Sequence, residues 1–76
     1  MVFKITKSIG AISEPSKAGW VKELNEVSWN ERDAKYDIRD WDPDHEKMSK
    51  GVTLTEAEAK KLMSVLIEHF SSEEEE

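Results

Sequence analysis

Alternating apolar and polar positions dominate the first two thirds of the chain and predict β-strands. The clearest case is the segment KYDIRDW, in which Tyr36 and Ile38 fall on one face. Lys35, Arg39 and Trp41 fall on the other face. An outward tryptophan beside an arginine lowers solubility without stabilising a core, so this second face has the character of a binding surface. Single-stranded nucleic acid, which is flat at its bases and negatively charged, would suit such a surface.

The same kind of pattern predicts four strands in all, over residues 2–13, 20–30, 35–41 and 51–54. Gly10 interrupts the first strand and is a plausible position for a bulge or bend. In the second strand the apolar residues stand at even positions up to Leu24 and at odd positions from Val27 onward. This change of phase predicts a bulge near residues 25–26.

Turn-forming residues separate these strands, in the segments EPSKAG, ERDA and DPD. After the fourth strand the hydrophobic period changes to that of a helix. Thr55 and Glu58 have the spacing of a capping box, and the helix is expected to end near Phe70. Its apolar stripe consists of Ala59, Leu62, Met63, Leu66 and Phe70.

These elements predict an α+β fold, a curved four-stranded antiparallel sheet followed by one C-terminal helix (ββββα). The helix is expected to bury Tyr36 and Ile38 and to leave Trp41 outside. With 76 residues the chain forms one domain, predicted over residues 1–72, and residues 73–76 are predicted to be a disordered acidic tail. A chain this short buries only about 60% of its unfolded surface, so oligomerisation is expected.

Charge gives no positive support for a nucleic-acid partner. The 11 basic and 17 acidic residues give a net charge of −6, and removing the four glutamates of residues 73–76 leaves 11 basic and 13 acidic residues, a net charge of −2. Binding to phosphates would therefore depend on a local basic patch.

Several other classes of protein are not supported by the sequence. The absence of cysteine removes disulfides, thiolate metal sites and cysteine nucleophiles. The chain has neither an apolar run of membrane-spanning length nor a signal-peptide pattern, so we expect a cytoplasmic, nucleoid-associated location. An exposed turn offers no desolvated pocket for acid–base chemistry, and we expect neither an enzyme nor a cofactor.

One possible metal site fails on its spacing. Four acidic residues alternate like the start of a calcium-binding loop: Asp40, Asp42, Asp44 and Glu46. The sixth position of this loop is His45 where a glycine is needed, and the twelfth is Gly51 where a bidentate glutamate is needed. His45 and His69 also lack the spacing of zinc ligands, so no metal site is expected.

Two segments, KYDIRDW and KGVTLTEAE, resemble the positive cofactor four family of transcriptional coactivators. Residues 17–58 are similar to the short bacterial YdbC-type branch of that family. The resemblance implies four antiparallel strands and a C-terminal helix, with dimerisation through the helices. It also implies that the curved sheets form channels for single-stranded DNA.

The resemblance assigns roles to individual residues. Trp29 and Trp41 match the aromatic residues that stack on bases in this family. Arg39 and Lys50 match its phosphate-contacting residues, and Lys47 is a looser match. Lys22 and Lys35 complete the set of expected nucleic-acid-binding residues.

Some positions depart from the family pattern. Ser49 stands where the family has a second basic residue, and Glu23 and Glu26 stand where it is often basic. These departures predict weaker and more salt-sensitive binding than in the family's strongest members.

The sequence leaves other partners open. The main alternative is a protein-interaction module on the same fold, such as an adaptor of a transcription complex. Single-stranded RNA is a second alternative, because it also offers unpaired bases. The expected role of the binding protein is in transcription, replication or repair.

Overall fold

The computed structural model describes residues 2–74, which form four strands and one helix. The elements are β1 (Phe3–Ala11), β2 (Val21–Trp29), β3 (Lys35–Trp41), β4 (Val52–Leu54) and α1 (Glu56–Glu74). The strands make one antiparallel sheet in the order β1-β2-β3-β4, so the predicted ββββα fold is confirmed. The strand β3 has the predicted bounds, whereas α1 continues past the predicted end at Phe70. Residues 75 and 76 of the predicted acidic tail lie outside the described residues.

The sheet is strongly curled. Trp29 ends β2 beside the turn to β3, whereas Trp41 pairs with Val21 at the opposite end of the same ladder. Eight residues of strand separate Val21 from Trp29, about 26 Å in a flat sheet. The Phe3 ring nevertheless lies 6.0 Å from the Trp29 ring and 5.3 Å from the Trp41 ring. The sheet must therefore bend to bring its two ends together over one face.

The irregularities that accompany this bend lie in β1. The β1–β2 register shifts between Ile5 and Lys7 and again between Ser8 and Gly10. The first shift was not predicted, and the second falls at the predicted bend near Gly10. The predicted bulge in β2 is wrong, because β2 pairs with β3 in one unbroken register from Val21 to Val27.

The change of phase in β2 has a different cause. Leu24 lies on the face that α1 covers, whereas Val27 and Trp29 lie on the opposite face. Both faces of β2 therefore carry apolar side chains, and an ordinary alternating strand explains the pattern without an extra residue.

Most of the burial is on the sheet face that is turned away from the helix. Among the described residues the fully buried side chains are Val27, Trp41, Asn25 and Asp37. All four stand at odd positions on β2 or β3 and so share that face. The expectation that Trp41 lies outside is wrong, since it is only 1% exposed. Alternation along β3 identified its face, but it could not show that the curl and Phe3 cover that face.

The helix begins as predicted. The Thr55 backbone N–H donates to Glu58 Oε1 at 2.8 Å, and the Glu58 N–H donates to Thr55 Oγ1 at 3.1 Å. This reciprocal pair is a capping box and satisfies two N–H groups that the first turn cannot pair internally.

The apolar stripe of α1 is only partly covered. The helix makes its contacts with β3 and β4, and an open apolar cavity of about 280 Å³ lies between it and the sheet. Tyr36 and Ile38, which were expected to be buried beneath the helix, are half-buried. The large apolar side chains of α1 that remain exposed are Leu62, Met63, Val65, Leu66, Ile67 and Phe70.

Candidate nucleic-acid interface

Four rings form a continuous row on the face turned away from the helix. Trp29 contacts Phe3 at 6.0 Å between ring centroids, and Phe3 contacts Trp41 at 5.3 Å. Trp41 in turn contacts the His45 ring at 5.7 Å, with an angle of 35° between the ring planes. We call Trp29, Phe3, Trp41 and His45 the aromatic row. Phe3 and Trp29 are half-buried, Trp41 is buried, and His45 is exposed.

A tight turn fixes the Trp29 end of this row. Asn30 and Glu31 both have positive φ, 53° and 63°, and the Arg32 N–H donates to the Trp29 carbonyl at 3.0 Å. Two left-handed residues between the bonded positions define a type I′ turn, which matches the twist of a hairpin. The Asn30 N–H also donates to the Val2 carbonyl at 2.7 Å, so the start of β1 is held beside Trp29.

Arg39 covers the Trp29 ring. Its guanidinium carbon lies over the ring, 4.5 Å from the centroid, a cation–π arrangement. Arg39 pairs in the ladder with Glu23, six residues before Trp29 on β2, so only the curl of the sheet allows this contact. The cation therefore links distant parts of the face that carries the aromatic row.

The donors of Arg39 are occupied within the protein. Its Nε donates to Asp37 Oδ1 at 2.6 Å and its Nη2 donates to Asp37 Oδ2 at 2.7 Å, while Thr53 Oγ1 donates to the same Oδ2 at 3.1 Å. The Asp37 side chain is fully buried and that of Arg39 is 12% exposed. The bidentate pair neutralises a buried carboxylate, which would otherwise be costly. Arg39 thus serves first to hold the face together and has little capacity left for a phosphate.

Gly51, which directly precedes β4, lets the chain pack closely against β3 at Arg39. A Cβ at Gly51 would collide with Arg39 Cβ and with the Ile38 carbonyl oxygen. The glycine of the KGVTL segment is therefore required by close packing against β3.

Three lysines on or beside the face are exposed: Lys35, Lys47 and Lys50. Lys35 begins β3 and stands at an odd position, on the same face as Trp29. Lys47 and Lys50 lie in the segment between β3 and β4, which also carries His45. Exposed lysines thus occur on the face that carries Trp29 and in the chain segment that carries His45.

Lys22 is not brought together with these residues. It stands at an even position of β2, opposite Asp40, and its Nζ lies 3.1 Å from Asp40 Oδ2. Even positions belong to the helix side of the sheet. Lys22 is therefore both on the other face and paired with a carboxylate.

The segment after β3 folds back over Trp41. Asp42 Oδ1 accepts hydrogen bonds from the backbone N–H groups of Glu46 at 2.8 Å and Lys47 at 3.0 Å, so the aspartate side chain caps this turn locally. His45 has φ of 56°, and its Nε2 lies 3.0 and 2.9 Å from the two carboxylate oxygens of Glu23. Because a carboxylate only accepts, Nε2 carries the proton and donates. These bonds fix the His45 ring against Trp41.

Two residues of the row, Phe3 and His45, were not among the predicted site residues. Phe3 has only the signal of an ordinary apolar strand position, and its approach to Trp41 depends on the curl. From the sequence, His45 is recognisable only as a candidate metal ligand. The spacing of four residues between Trp41 and His45 across a DPD turn is the signal that could have placed the two rings together.

The two tryptophans of the row leave their polar atoms unpaired. Trp29 Nε1 and Trp41 Nε1 are buried and have no acceptor among the described residues. An unmet buried donor costs about 1–3 kcal/mol. The indoles are therefore held by packing and by the Arg39 cation rather than by hydrogen bonds, and they contribute flat apolar surface.

Metal-ion clusters and membrane-spanning helices are absent from the described residues. Residues 2–74 contain no group of three or more His, Cys, Asp or Glu side chains that could hold a metal ion. Over the same residues α1 is not apolar enough to cross a membrane.

Comparison with known proteins identifies the family of the chain. Residues 16–65, about two thirds of the chain, match the family model described as Transcriptional Coactivator p15 (PC4). An uncharacterized protein of Treponema pallidum (strain Nichols) is 50% identical over 64 residues, which cover 84% of this chain and 74% of that protein. The chain belongs to the PC4 family of transcriptional coactivators.

Proposed function

We propose that this protein binds single-stranded DNA with little sequence preference, as a homodimer, on the face that carries the aromatic row. Membership of the PC4 family supports a single-stranded DNA-binding or coactivator-like role in general. The further assignment of a surface, of contacting residues and of a dimer is our proposal.

The observation that carries the proposal is the aromatic row itself. Stacking on an aromatic ring is tolerant of sequence because every base has a π face, and it contributes about 1–3 kcal/mol per base. Trp29 and Phe3 are half-buried and are therefore more accessible than the buried Trp41. Duplex DNA hides its base faces within the helix, so a surface of this kind favours unpaired strands.

The exposed lysines supply the contacts to phosphate. If Lys35, Lys47 and Lys50 each neutralise one phosphate, the logarithm of the binding constant falls linearly with the logarithm of the salt concentration, with a slope of about −2 for a single strand. Affinity then falls about 20-fold between 50 and 200 mM salt. In this proposal Arg39 is a fixed cation against the Trp29 ring rather than a phosphate ligand, because its Nε and Nη2 already donate to Asp37. Lys22 does not take part.

Trp41 has a supporting role in this proposal. At 1% exposure it cannot stack on a base unless the neighbouring rings move. It instead forms the floor on which Phe3 and His45 rest.

The exposed stripe of α1 supports the proposed dimer. Monomeric proteins seldom expose so many neighbouring large apolar side chains, and an open apolar cavity adjoins them. The radius of gyration is 14.3 Å, whereas a compact domain of this length is expected near about 11 Å. A second copy packed against α1 would cover the stripe and complete a compact particle. Analytical ultracentrifugation tests the dimer. Leu66→Glu places a charge in the apolar stripe and should yield a monomer, whereas the control variant Lys60→Glu should not. A monomeric wild-type protein would refute the dimer.

Competition between oligonucleotides tests the ligand. A fluorescently labelled thymine 20-mer is bound at low salt and displaced by unlabelled single-stranded DNA, duplex DNA or a matched RNA. We expect single-stranded DNA to displace the label at the lowest concentration and duplex at the highest. Displacement by RNA at lower concentration would replace DNA by RNA in the proposal. No binding at low salt would refute it and would favour a protein-interaction module.

A further inference from the structure

His45 is the most accessible ring of the aromatic row. Its side chain is 41% exposed, whereas Trp41 beneath it is 1% exposed. Trp41 covers one side of the imidazole at 5.7 Å, with a tilt of 35° between the rings. A base that arrives at this end of the row therefore meets His45 before it meets Trp41.

The His45 ring is held in place from β2. Both carboxylate oxygens of Glu23 lie within 3.0 Å of His45 Nε2, and Glu23 Oε1 also accepts from Asn25 Nδ2 at 3.1 Å. Asn25 is buried, so the carboxylate itself rests on a rigid part of the strand. A ring fixed in this way loses little further conformational entropy on stacking, which favours binding. The Glu23 carboxylate, which would otherwise only repel phosphates, therefore orients the His45 ring.

We propose that His45 is a base-contacting residue, oriented by Glu23, and that it takes the place of Trp41 as the stacking ring at this end of the row. The inference rests on the proposed single-strand binding and adds one contacting residue and one positioning residue to it. The partner is an unpaired base of any identity, because the contact is made through the face of the imidazole.

The imidazole resonances of the wild-type protein give the first test. The chain has two histidines, and His69 lies on α1 beside Phe70, so it serves as an internal control. On titration with a thymine 20-mer, the carbon-bound ring protons of His45 should move upfield from the ring current of a stacked base, while those of His69 stay in place. Unchanged His45 signals at a concentration that saturates the tryptophan response would overturn the inference and leave the proposed function standing. Absence of any tryptophan response would refute both.

Substitutions give the second test. We expect His45→Ala to weaken binding about fivefold, which corresponds to about 1 kcal/mol because a tenfold change is 1.4 kcal/mol. His45→Phe keeps an aromatic ring, and its affinity should stay within about twofold of the wild type. Equal or tighter binding by His45→Ala would show that the ring is only a cover over Trp41, and would overturn the inference.

A matched pair of substitutions tests the positioning role of Glu23. Glu23→Gln and Glu23→Ala remove the same charge, but only the glutamine keeps an acceptor for Nε2–H. Glu23→Ala should bind at least about threefold more weakly than Glu23→Gln, and the upfield shift of His45 should be smaller in it. Equal affinities and equal shifts in the two variants would exclude the positioning role.

Discussion

The ion pair between Asp37 and Arg39 is expected to be the largest single polar contribution to the stability of the sheet face that carries the aromatic row. The Asp37→Ala substitution removes both bonds to Arg39 and the bond from Thr53 Oγ1. It leaves a guanidinium that is only 12% exposed without its counter-charge. Breaking one partner of such a pair costs about 3–5 kcal/mol. For a domain of this size the melting temperature should fall by about 12–40 °C, at about 4–8 °C per kcal/mol.

Asp40→Ala is the matched control, since it makes the same change three residues further along β3. The Lys22–Asp40 pair is 3.1 Å long, but its side chains are 44% and 37% exposed. A pair this exposed contributes about 0–1 kcal/mol, so the control should lose little stability. Thermal and urea unfolding followed by circular dichroism, at one fixed protein concentration, measures both variants.

A double variant separates the unpaired charge from the lost packing. If the cost of Asp37→Ala comes from the uncompensated Arg39, then adding Arg39→Met should restore part of the stability. The reasoning is refuted if Asp37→Ala is within about 1 kcal/mol of Asp40→Ala, or if the double variant is less stable than Asp37→Ala alone.

Three further predictions concern single features of the chain. Gly51→Ala should cost about 1–3 kcal/mol because its Cβ collides with β3, whereas Gly10→Ala, with open space around it, should be nearly neutral in urea unfolding. Thr55→Ala removes one half of the capping box and should cost about 1 kcal/mol in the same assay, and a loss below about 0.3 kcal/mol would contradict the cap. Deletion of residues 73–76 removes four negative charges, so the affinity of the variant for a thymine 20-mer should rise at low salt and approach that of the wild type at high salt. Unchanged affinity at low salt would show that these glutamates do not compete with DNA.

Local patterns in the sequence were sufficient to predict the strands and the helix and to assign side chains to one face of the sheet. The alternation of KYDIRDW gave the bounds of β3 and placed Arg39 and Trp41 on the same face. The spacing of Thr55 and Glu58 gave the start of α1. Both are set by contacts within a few residues, which a pattern can report.

The accessibility of the site depends on contacts between distant parts of the chain, which local patterns do not report. Phe3 and Trp41 are 38 positions apart, and they meet only because the sheet curls. Alternation therefore assigned Trp41 to the correct face but not to the buried floor of that face. Arg39 looked like a free cation for a different reason: alternation places Asp37, two residues earlier, on the same face but does not show that its carboxylate binds the guanidinium.

Tryptophan emission during titration with a thymine 20-mer, added first as a single strand and then annealed to its complement, is the most direct test of the proposed stacking surface. Our account predicts quenching by the single strand only, weakened by salt. It also predicts that Trp29→Leu binds about 5- to 150-fold more weakly and that Trp29→Phe, which keeps a ring, binds closer to the wild type. Equal responses to single strand and duplex, or equal affinities of the wild type and Trp29→Leu, would contradict it.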